Sequence, residues 1–162
     1  AAQLDIALAI SFDAIGYVDS RPGSQQLPSG FGLAFPSAAD SVHARDDRAD
    51  FIAVLANEPA AAMARSFEAH AQREGLPALS VVVPPLVTLT PLGFDLRRSD
   101  HAPFWDRGRP ALLITDTAEF RSTAYHCRGR SDDLVTLDLA FATRVTRVAA
   151  ALTAEALGPT SR

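Results

Sequence analysis

The sequence is poor in the residues that mark several large classes of protein. It has no lysine, so all fifteen basic residues are arginines, and its net charge of −4 gives no support for a nucleic-acid partner. The single cysteine, Cys127, excludes an intrachain disulfide, so cysteine usage does not indicate the cellular compartment. Its side chain is expected to be small and buried. No apolar run approaches the roughly 18 residues of a membrane span. No signal-peptide pattern is present either, so we expect no membrane partner.

The sequence does contain enough apolar material for a hydrophobic core. Hydrophobic residues make up 48% and charged residues 21% of the chain, which is typical of globular proteins. With 162 residues the chain is too short for two ordinary domains. We therefore expect a single domain over residues 1–162.

Strand patterns alternate with helix patterns along this domain. Buried strands are predicted over 4–12, 51–56, 79–83 and 111–115. Asn57-Glu58-Pro59 predicts a helix start and Gly75 its end, and apolar residues return at helical spacing over 137–157. Segment 17–36 is rich in proline, glycine and serine and is predicted to be a loop, and the charged segment 40–50 is predicted to be exposed. The alternation predicts an α/β domain with helices on the faces of a sheet.

Two residues are candidate metal ligands. Asp13 directly follows the first predicted strand, at the kind of position where open α/β sheets bind ligands. Its carboxylate is either a ligand or a loop group in an Asx-type turn, and the residues alone favour the turn. His126 follows Tyr125 and is either an ordinary surface or core histidine or a ligand. Because Zn²⁺ prefers histidine nitrogen together with carboxylate oxygen, the pair makes zinc the candidate metal.

The segment 99–105 combines a helix start with titratable groups. Asp100 is either the N-cap of a short helix or a carboxylate that orients a ligand imidazole, and the residues leave both interpretations open. His101 follows it at the start of the same helix. Four arginines flank this element, namely Arg97, Arg98, Arg107 and Arg109. They either hold a substrate carboxylate or form exposed ion pairs, and ion pairs are the expected case.

Four segments, taken in order, resemble the second half of the zinc-dependent aminopeptidases of the M28 family. They are SFDAIGY at 11–17, SDHAPFW at 99–105, GRPA at 108–111 and YH at 125–126. No single segment is a strong motif, but four in the same order at comparable spacings are fairly specific. The resemblance covers nearly the whole chain. It implies a three-layer α/β fold with a mixed, mainly parallel sheet and helices on both faces, here apparently incomplete.

The resemblance also implies roles for the candidate residues. Asp13 and His126 would each bind one of the family's two zinc ions. Tyr125 would stabilise the oxyanion, and the related glutaminyl cyclases have tryptophan at that position. Asp100 and His101 would contact the ligand side chains and orient them without binding the metal themselves. The implied activity is the hydrolysis of N-terminal peptide bonds in a peptide or small amino-acyl substrate.

The sequence departs from the family pattern in ways that affect this expectation. Cys127 replaces the usual threonine, and 128–131 makes the loop after His126 two residues longer than usual. The other zinc ligands and the general-base glutamate should precede Asp13, where only twelve residues stand. We therefore expect a missing N-terminal half, self-association through exposed sheet edges, and no catalysis by these residues alone. The alternatives are an inactive binding or scaffold module and a glutaminyl-cyclase-like acyltransferase.

Overall fold

The computed structural model describes residues 6–158, in which four strands form one mixed sheet. The strands are β1 (Ala9–Phe12), β2 (Ile52–Ala56), β3 (Ala78–Val82) and β4 (Ala111–Thr115). Their order across the sheet is β1-β4-β2-β3. β1 is parallel to β4 and β2 is parallel to β3, whereas β2 and β4 are antiparallel. The predicted mixed, mainly parallel α/β arrangement is therefore confirmed.

Six α-helices lie within the described residues. They are α1 (Phe31–Ala34), α2 (Pro36–His43), α3 (Ala61–Arg73), α4 (Pro91–Leu96), α5 (Ala102–Trp105) and α6 (Leu139–Leu157). The prediction of a helix after Asn57 is confirmed, since a 3₁₀ turn over Glu58–Ala60 leads directly into α3. α6 begins at Asp138, whose side chain accepts a hydrogen bond from the Phe141 N–H at 2.8 Å and so caps the helix.

The helices cover both faces of the sheet. Alternate residues of the central strand β2 point to opposite faces, so Ile52 and Val54 pack against α3 and α6. Leu55 points the other way and packs with α1, α2, α4 and α5. Every residue of β2 and β4 is buried as a result. The sequence had indicated this, because both strands are continuously apolar.

The first strand differs from its prediction. Only Ala9–Phe12 forms a strand, and the predicted start at Leu4 lies outside the described residues. The apolar run indicated burial on both faces, but among residues 6–158 β1 lies at the edge of the sheet and pairs with β4 alone. Its residues are half-buried, and Phe12 is 48% exposed. An apolar run shows that a strand is favourable; it does not show which strands will flank it.

Helices lie in the segment predicted as a loop and in the segment predicted to be exposed. α1 lies inside the segment predicted as a loop, and α2 extends into the charged segment that was predicted to be exposed. Pro36 at the first turn of α2 was a start signal that the proline and glycine content of the segment obscured. Val42 of α2 is 1% exposed and packs with Phe51, so part of that segment belongs to the core. Among residues 6–158, no helix is both long and apolar enough to cross a membrane.

A glycine in α4 allows a close backbone contact. A Cβ placed at Gly93 would lie 2.4 Å from the Thr88 carbonyl oxygen, whereas one at Gly32 of α1 would meet only the Ala39 Cβ at 3.7 Å. We expect Gly93→Ala to destabilise the protein by about 1–3 kcal/mol, because backbone has to move. Gly32→Ala is the matched control and should be neutral or stabilising by up to about 1 kcal/mol. Urea unfolding of the two variants checks this, and equal midpoints would contradict it.

Candidate functional site

The carboxyl ends of β1 and β4 bring several polar residues together at one edge of the sheet. This edge runs across the strand ends and not along β1. Because β1 and β4 are parallel, the residues that follow them, Asp13 and Asp116, lie at the same edge. The Asp13 N–H continues the pairing by donating to the Ile114 carbonyl at 3.2 Å. Asp13 itself is half-buried. This edge is where ligands bind in open α/β sheets.

Asp116 fixes the loop after β1 to the end of β4. One of its carboxylate oxygens accepts hydrogen bonds from the N–H groups of Gly16 at 2.9 Å and Tyr17 at 2.8 Å. The other accepts from the Ala118 N–H at 3.0 Å. Asp116 is 1% exposed, and this burial raises the pKa of its carboxyl group above the usual value. The Asp116 carboxylate therefore holds the loop that follows Asp13.

Arg121 is the second buried charge at this edge. Its Nη1 donates to the Phe51 carbonyl at 2.9 Å, and its Nε donates to the Gln25 Oε1 and the Thr117 Oγ1, each at 3.0 Å. The guanidinium also lies over the Phe51 ring, 4.8 Å from its centre. Arg121 is 6% exposed, and burial lowers the pKa of its guanidinium to about 10. One side chain thus joins segments before β2, after β4 and around Gln25.

Tyr125 and His126 lie in the loop that follows this arginine. They form a 3₁₀ turn over Tyr125–Cys127, with ring centres 4.2 Å apart. His126 has a left-handed backbone with φ of 53° and is exposed, whereas Tyr125 is half-buried. The Gly129 N–H closes the loop by donating to the Thr123 carbonyl at 2.9 Å. A Cβ at Gly129 would lie 2.8 Å from that oxygen, so the closure requires glycine.

Two cavities meet at Tyr125. The first, which we call the apolar cavity, is lined by Asp13 and Tyr125 together with hydrophobic side chains of α1, α2 and the sheet. The second, which we call the neighbouring cavity, is lined by Tyr125, Asp116 and Asp132 and also by the apolar side chains of Ile15 and Leu137. Tyr125 contributes to both walls. The structure thus brings Asp13 and Tyr125, predicted as site residues, to one cavity.

Asp100 and His101 line neither of the two cavities. Asp100 is exposed. The N-cap of α5 is His101, whose side chain makes no capping hydrogen bond, so the prediction that Asp100 is the N-cap is wrong. His101 is 1% exposed, bonds through Nε2 to the Leu96 carbonyl at 2.9 Å, and meets the Trp105 ring edge-on at 4.4 Å. Its Nδ1 has no hydrogen-bond partner among residues 6–158. Support of a metal ligand by either residue stays a prediction.

The remaining titratable residues divide between confirmed and corrected predictions. Cys127 is exposed, so the prediction of a buried cysteine is wrong. Arg97 pairs with Asp106 at 2.6 Å, and Arg98 pairs with Glu119, as expected of partly exposed arginines. Within residues 6–158, no group of three or more His, Cys, Asp or Glu side chains is placed to hold a metal ion.

Sequence reasoning missed Asp116 and Arg121. The signal for Asp116 was the same one that singled out Asp13, a carboxylate directly after an apolar strand, here Ala111–Thr115. Arg121 carried no local signal, because two of its acceptors, Gln25 and the Phe51 carbonyl, are far away along the chain. Only the fold places those acceptors around it.

The fold and the cavities define an α/β domain with an apolar cavity opening beside a carboxylate at the strand ends. Over 130 residues the chain is 34% identical to the uncharacterized protein YfbL of Escherichia coli (strain K12). The matched region covers 79% of this chain and 35% of the relative, so the chain spans about a third of that protein's length. No family model matches the chain. No solved structure matches it either.

Removing Arg121 tests its role at the edge of the sheet. We expect Arg121→Ala to lower the free energy of unfolding by about 2–4 kcal/mol, because the Phe51 carbonyl and Gln25 lose a buried donor. Arg147 is 67% exposed and 3.9 Å from Glu74, so Arg147→Ala is the matched control and should change stability by less than about 0.5 kcal/mol. Urea unfolding measures both, and equal effects would show that Arg121 is dispensable.

The burial of His101 predicts a pH dependence of stability. Burial is the main cause that lowers the pKa of His101, so the folded protein keeps the ring neutral where the unfolded chain protonates it. The contribution is full above the unfolded value near pH 6.5 and is lost as the pH falls towards the lowered pKa of the folded state. The loss is at most about 1.4 kcal/mol per pH unit.

Unfolding free energies at about pH 7.5 and about pH 5.5 check this. His101→Gln should reduce the difference between the two pH values relative to the wild type. His43 pairs with Asp47 at the surface, so His43→Gln should keep the wild-type difference. An unchanged difference in His101→Gln would exclude His101 as the source.

Proposed function

We propose that this chain forms part of a zinc-dependent aminopeptidase of the M28 type, which hydrolyses N-terminal peptide bonds. The observation that carries the proposal is that Asp13 and Tyr125, 112 positions apart in the sequence, line the same cavity at the carboxyl ends of β1 and β4. Polar groups that converge on an apolar cavity are typical of a binding or catalytic site. The order of the four sequence segments supplies the type of chemistry.

Tyr125 suits the role of oxyanion stabiliser. It is half-buried, and its ring is held between two cavities and against His126. A phenol hydroxyl at a cavity wall donates a hydrogen bond to charge that develops on the carbonyl oxygen of a substrate. The lower dielectric of a partly enclosed site strengthens that bond relative to one in water.

Zinc is the metal that Asp13 and His126 would help to bind. The described residues alone do not fit a complete zinc site, since no group of three ligands is present among residues 6–158. A catalytic zinc normally has three protein ligands. The proposal therefore requires further ligands and a general base from residues outside this sequence or from another chain. What this chain supplies is the carboxylate, the imidazole and the tyrosine hydroxyl.

The test uses the complete natural protein in which these residues occur. It should contain zinc by elemental analysis and release p-nitroaniline from alanine or leucine p-nitroanilide. Tyr125→Phe should lower kcat by about a hundredfold or more with little change in KM, as expected for a donor that acts in the transition state. Asp13→Asn and His126→Ala should lower both zinc content and activity.

Each variant has a matched control in the chain. Tyr17→Phe, Asp40→Asn and His43→Ala change the same residue types at other positions and should retain zinc and activity. Absence of zinc together with absence of hydrolysis would overturn the proposal and favour a binding module. Conversion of an N-terminal glutamine peptide without hydrolysis would instead favour the glutaminyl-cyclase alternative.

A further inference from the structure

The loop after His126 carries two arginines, one on each side of Gly129. We call residues 128–131 the arginine loop. Arg128 and Arg130 are both exposed, and neither forms an ion pair with a carboxylate among residues 6–158. The loop therefore presents two guanidinium groups that are available to an anion from outside this part of the chain.

Backbone hydrogen bonds hold the arginine loop beside Tyr125. The Arg128 N–H donates to the Tyr125 carbonyl at 3.3 Å, and the Gly129 N–H donates to the Thr123 carbonyl at 2.9 Å. The two arginines therefore extend from a fixed stretch of backbone next to the candidate oxyanion stabiliser. A ligand that binds to such a loop has little backbone to order, so more of the interaction energy appears as affinity.

The side chain of Arg130 lies against Tyr17, next to the neighbouring cavity. Its Nη2 donates to the Tyr17 hydroxyl at 3.4 Å, and its guanidinium carbon is 5.9 Å from the centre of the Tyr17 ring. Tyr17 and Tyr125 both line that cavity. Among the described residues this hydrogen bond uses one of the guanidinium N–H donors, so other donors remain for a ligand.

The carboxylates on this side of the molecule are engaged elsewhere or exposed to water. Asp19 accepts from both Nε and Nη2 of Arg21, at 2.6 Å in the shortest contact. Both oxygens of Asp116 accept backbone N–H groups. Asp132 lines the neighbouring cavity but is exposed, so solvent and salt screen its charge. Arg130 can therefore take an additional anion, whereas Arg21 is already paired.

A dipeptide substrate would carry its own carboxylate close to Tyr125. In the proposed function the Tyr125 hydroxyl donates to the carbonyl of the cleaved bond, and the residue that leaves follows that carbonyl directly. Consecutive Cα atoms are about 3.8 Å apart, so the C-terminal carboxylate of a dipeptide would lie within roughly 8 Å of the hydroxyl. Arg130 extends from a loop bound to the Tyr125 carbonyl, so its side chain can reach that carboxylate. Guanidinium and carboxylate match through two parallel hydrogen bonds.

We infer that Arg130 binds a carboxylate carried by the residue that follows the cleaved bond, and that it thereby determines which peptides are preferred. The α-carboxylate of a dipeptide and the side chain of an aspartate or glutamate are the two sources of that group. Arg128 adds positive charge that attracts anionic peptides to the arginine loop. The inference deepens the proposed function and rests on it for the position of the cleaved bond.

Peptides that differ in one charge test the inference on the complete natural protein. Alanylalanine has a free C-terminal carboxylate, and alanylalaninamide does not. We expect kcat/KM for alanylalanine to exceed that for the amide by about tenfold or more, mainly through a lower KM, because one charged hydrogen-bonded pair is lost in the amide. Equal values would overturn the inference.

A third peptide distinguishes the two sources of the carboxylate. The α-amide of alanylglutamic acid carries its carboxylate on the side chain alone. Cleavage as fast as that of alanylalanine would show that Arg130 accepts a side-chain carboxylate. Cleavage as slow as that of alanylalaninamide would restrict the preference to dipeptides. Either result supports a carboxylate site, provided that alanylalanine is preferred over its amide.

Variants of Arg130 connect the preference to its guanidinium group. Arg130→Gln should remove most of the preference for alanylalanine over its amide, and Arg130→Lys should restore part of it, since lysine keeps the charge without the planar fork. Arg147 is 67% exposed on α6, so Arg147→Gln is the matched control and should keep the wild-type preference. An unchanged preference in Arg130→Gln would contradict the assignment.

Cleavage of alanine p-nitroanilide separates this inference from the proposed function. That substrate has no carboxylate, so Arg130→Gln should cleave it at the wild-type rate. If the wild-type protein cleaves the p-nitroanilide but treats alanylalanine and its amide alike, the aminopeptidase function stands and the role of Arg130 is wrong.

Direct binding keeps the inference testable if no hydrolysis is found. The complete protein, stripped of metal with a chelator, is titrated calorimetrically with N-acetylglycine and with its uncharged match, N-acetylglycinamide. N-acetylglycine should bind about tenfold or more tightly, and Arg130→Gln should abolish the difference. That result without any hydrolysis would leave the carboxylate site standing and show the proposed function to be wrong. Equal binding of the two ligands to the wild type would overturn the inference.

Discussion

The arrangement of the candidate site depends on the burial of one guanidinium group. Arg121 donates hydrogen bonds to backbone and side-chain acceptors from three separate segments, and Asp116 holds the loop after β1 from the other side. A buried arginine is costly unless its donors are used, so its acceptors are constrained to stay in place. Tyr125 follows Arg121 by four residues, and Asp13 precedes the loop held by Asp116. The positions of Tyr125 and Asp13 beside the apolar cavity therefore depend on Arg121 and Asp116.

The same anchoring explains the unusual backbone around the cavities. Ala14, Thr117, Ala118 and His126 all have positive φ angles, between 47° and 72°, although none is glycine. Such conformations are unfavourable for residues with a Cβ and persist where the surroundings hold them. The N–H of Ala118 bonds to Asp116, and the N–H of Asp116 bonds to the carbonyl of Ala14 at 2.7 Å. Conformational strain thus lies partly beside the cavities and partly in the loop after α2, where Asp46 and Asp47 also have positive φ angles.

Local patterns in the sequence predicted the parts of the fold that local forces determine. The strands at 52–56, 78–82 and 111–115 and the helix after Asn57 follow from continuous apolar runs and from clear start signals. The edge position of β1 and the burial of Val42 depend on which elements become neighbours. No local sequence pattern specifies those neighbours. For the site, Asp13 was found through its position after a strand together with the resemblance, Tyr125 was found through the resemblance alone, and the apolar cavity could not be found at all. In the sequence, the residues that line this cavity cannot be told from other apolar core residues, and only the fold leaves space between them.

The edge position of β1 has a consequence for how the sheet can grow. Its odd-numbered residues turn their backbone groups towards β4, as the bonds from Ala9 to Pro110 and from Asp13 to Ile114 show. Ile10 and Phe12 therefore direct their N–H and C=O groups away from the sheet. A further strand that docked there in parallel would end beside Asp13, about 4.8 Å away in the pairing direction. The same docking step would then extend the sheet and bring further polar side chains close to Asp13.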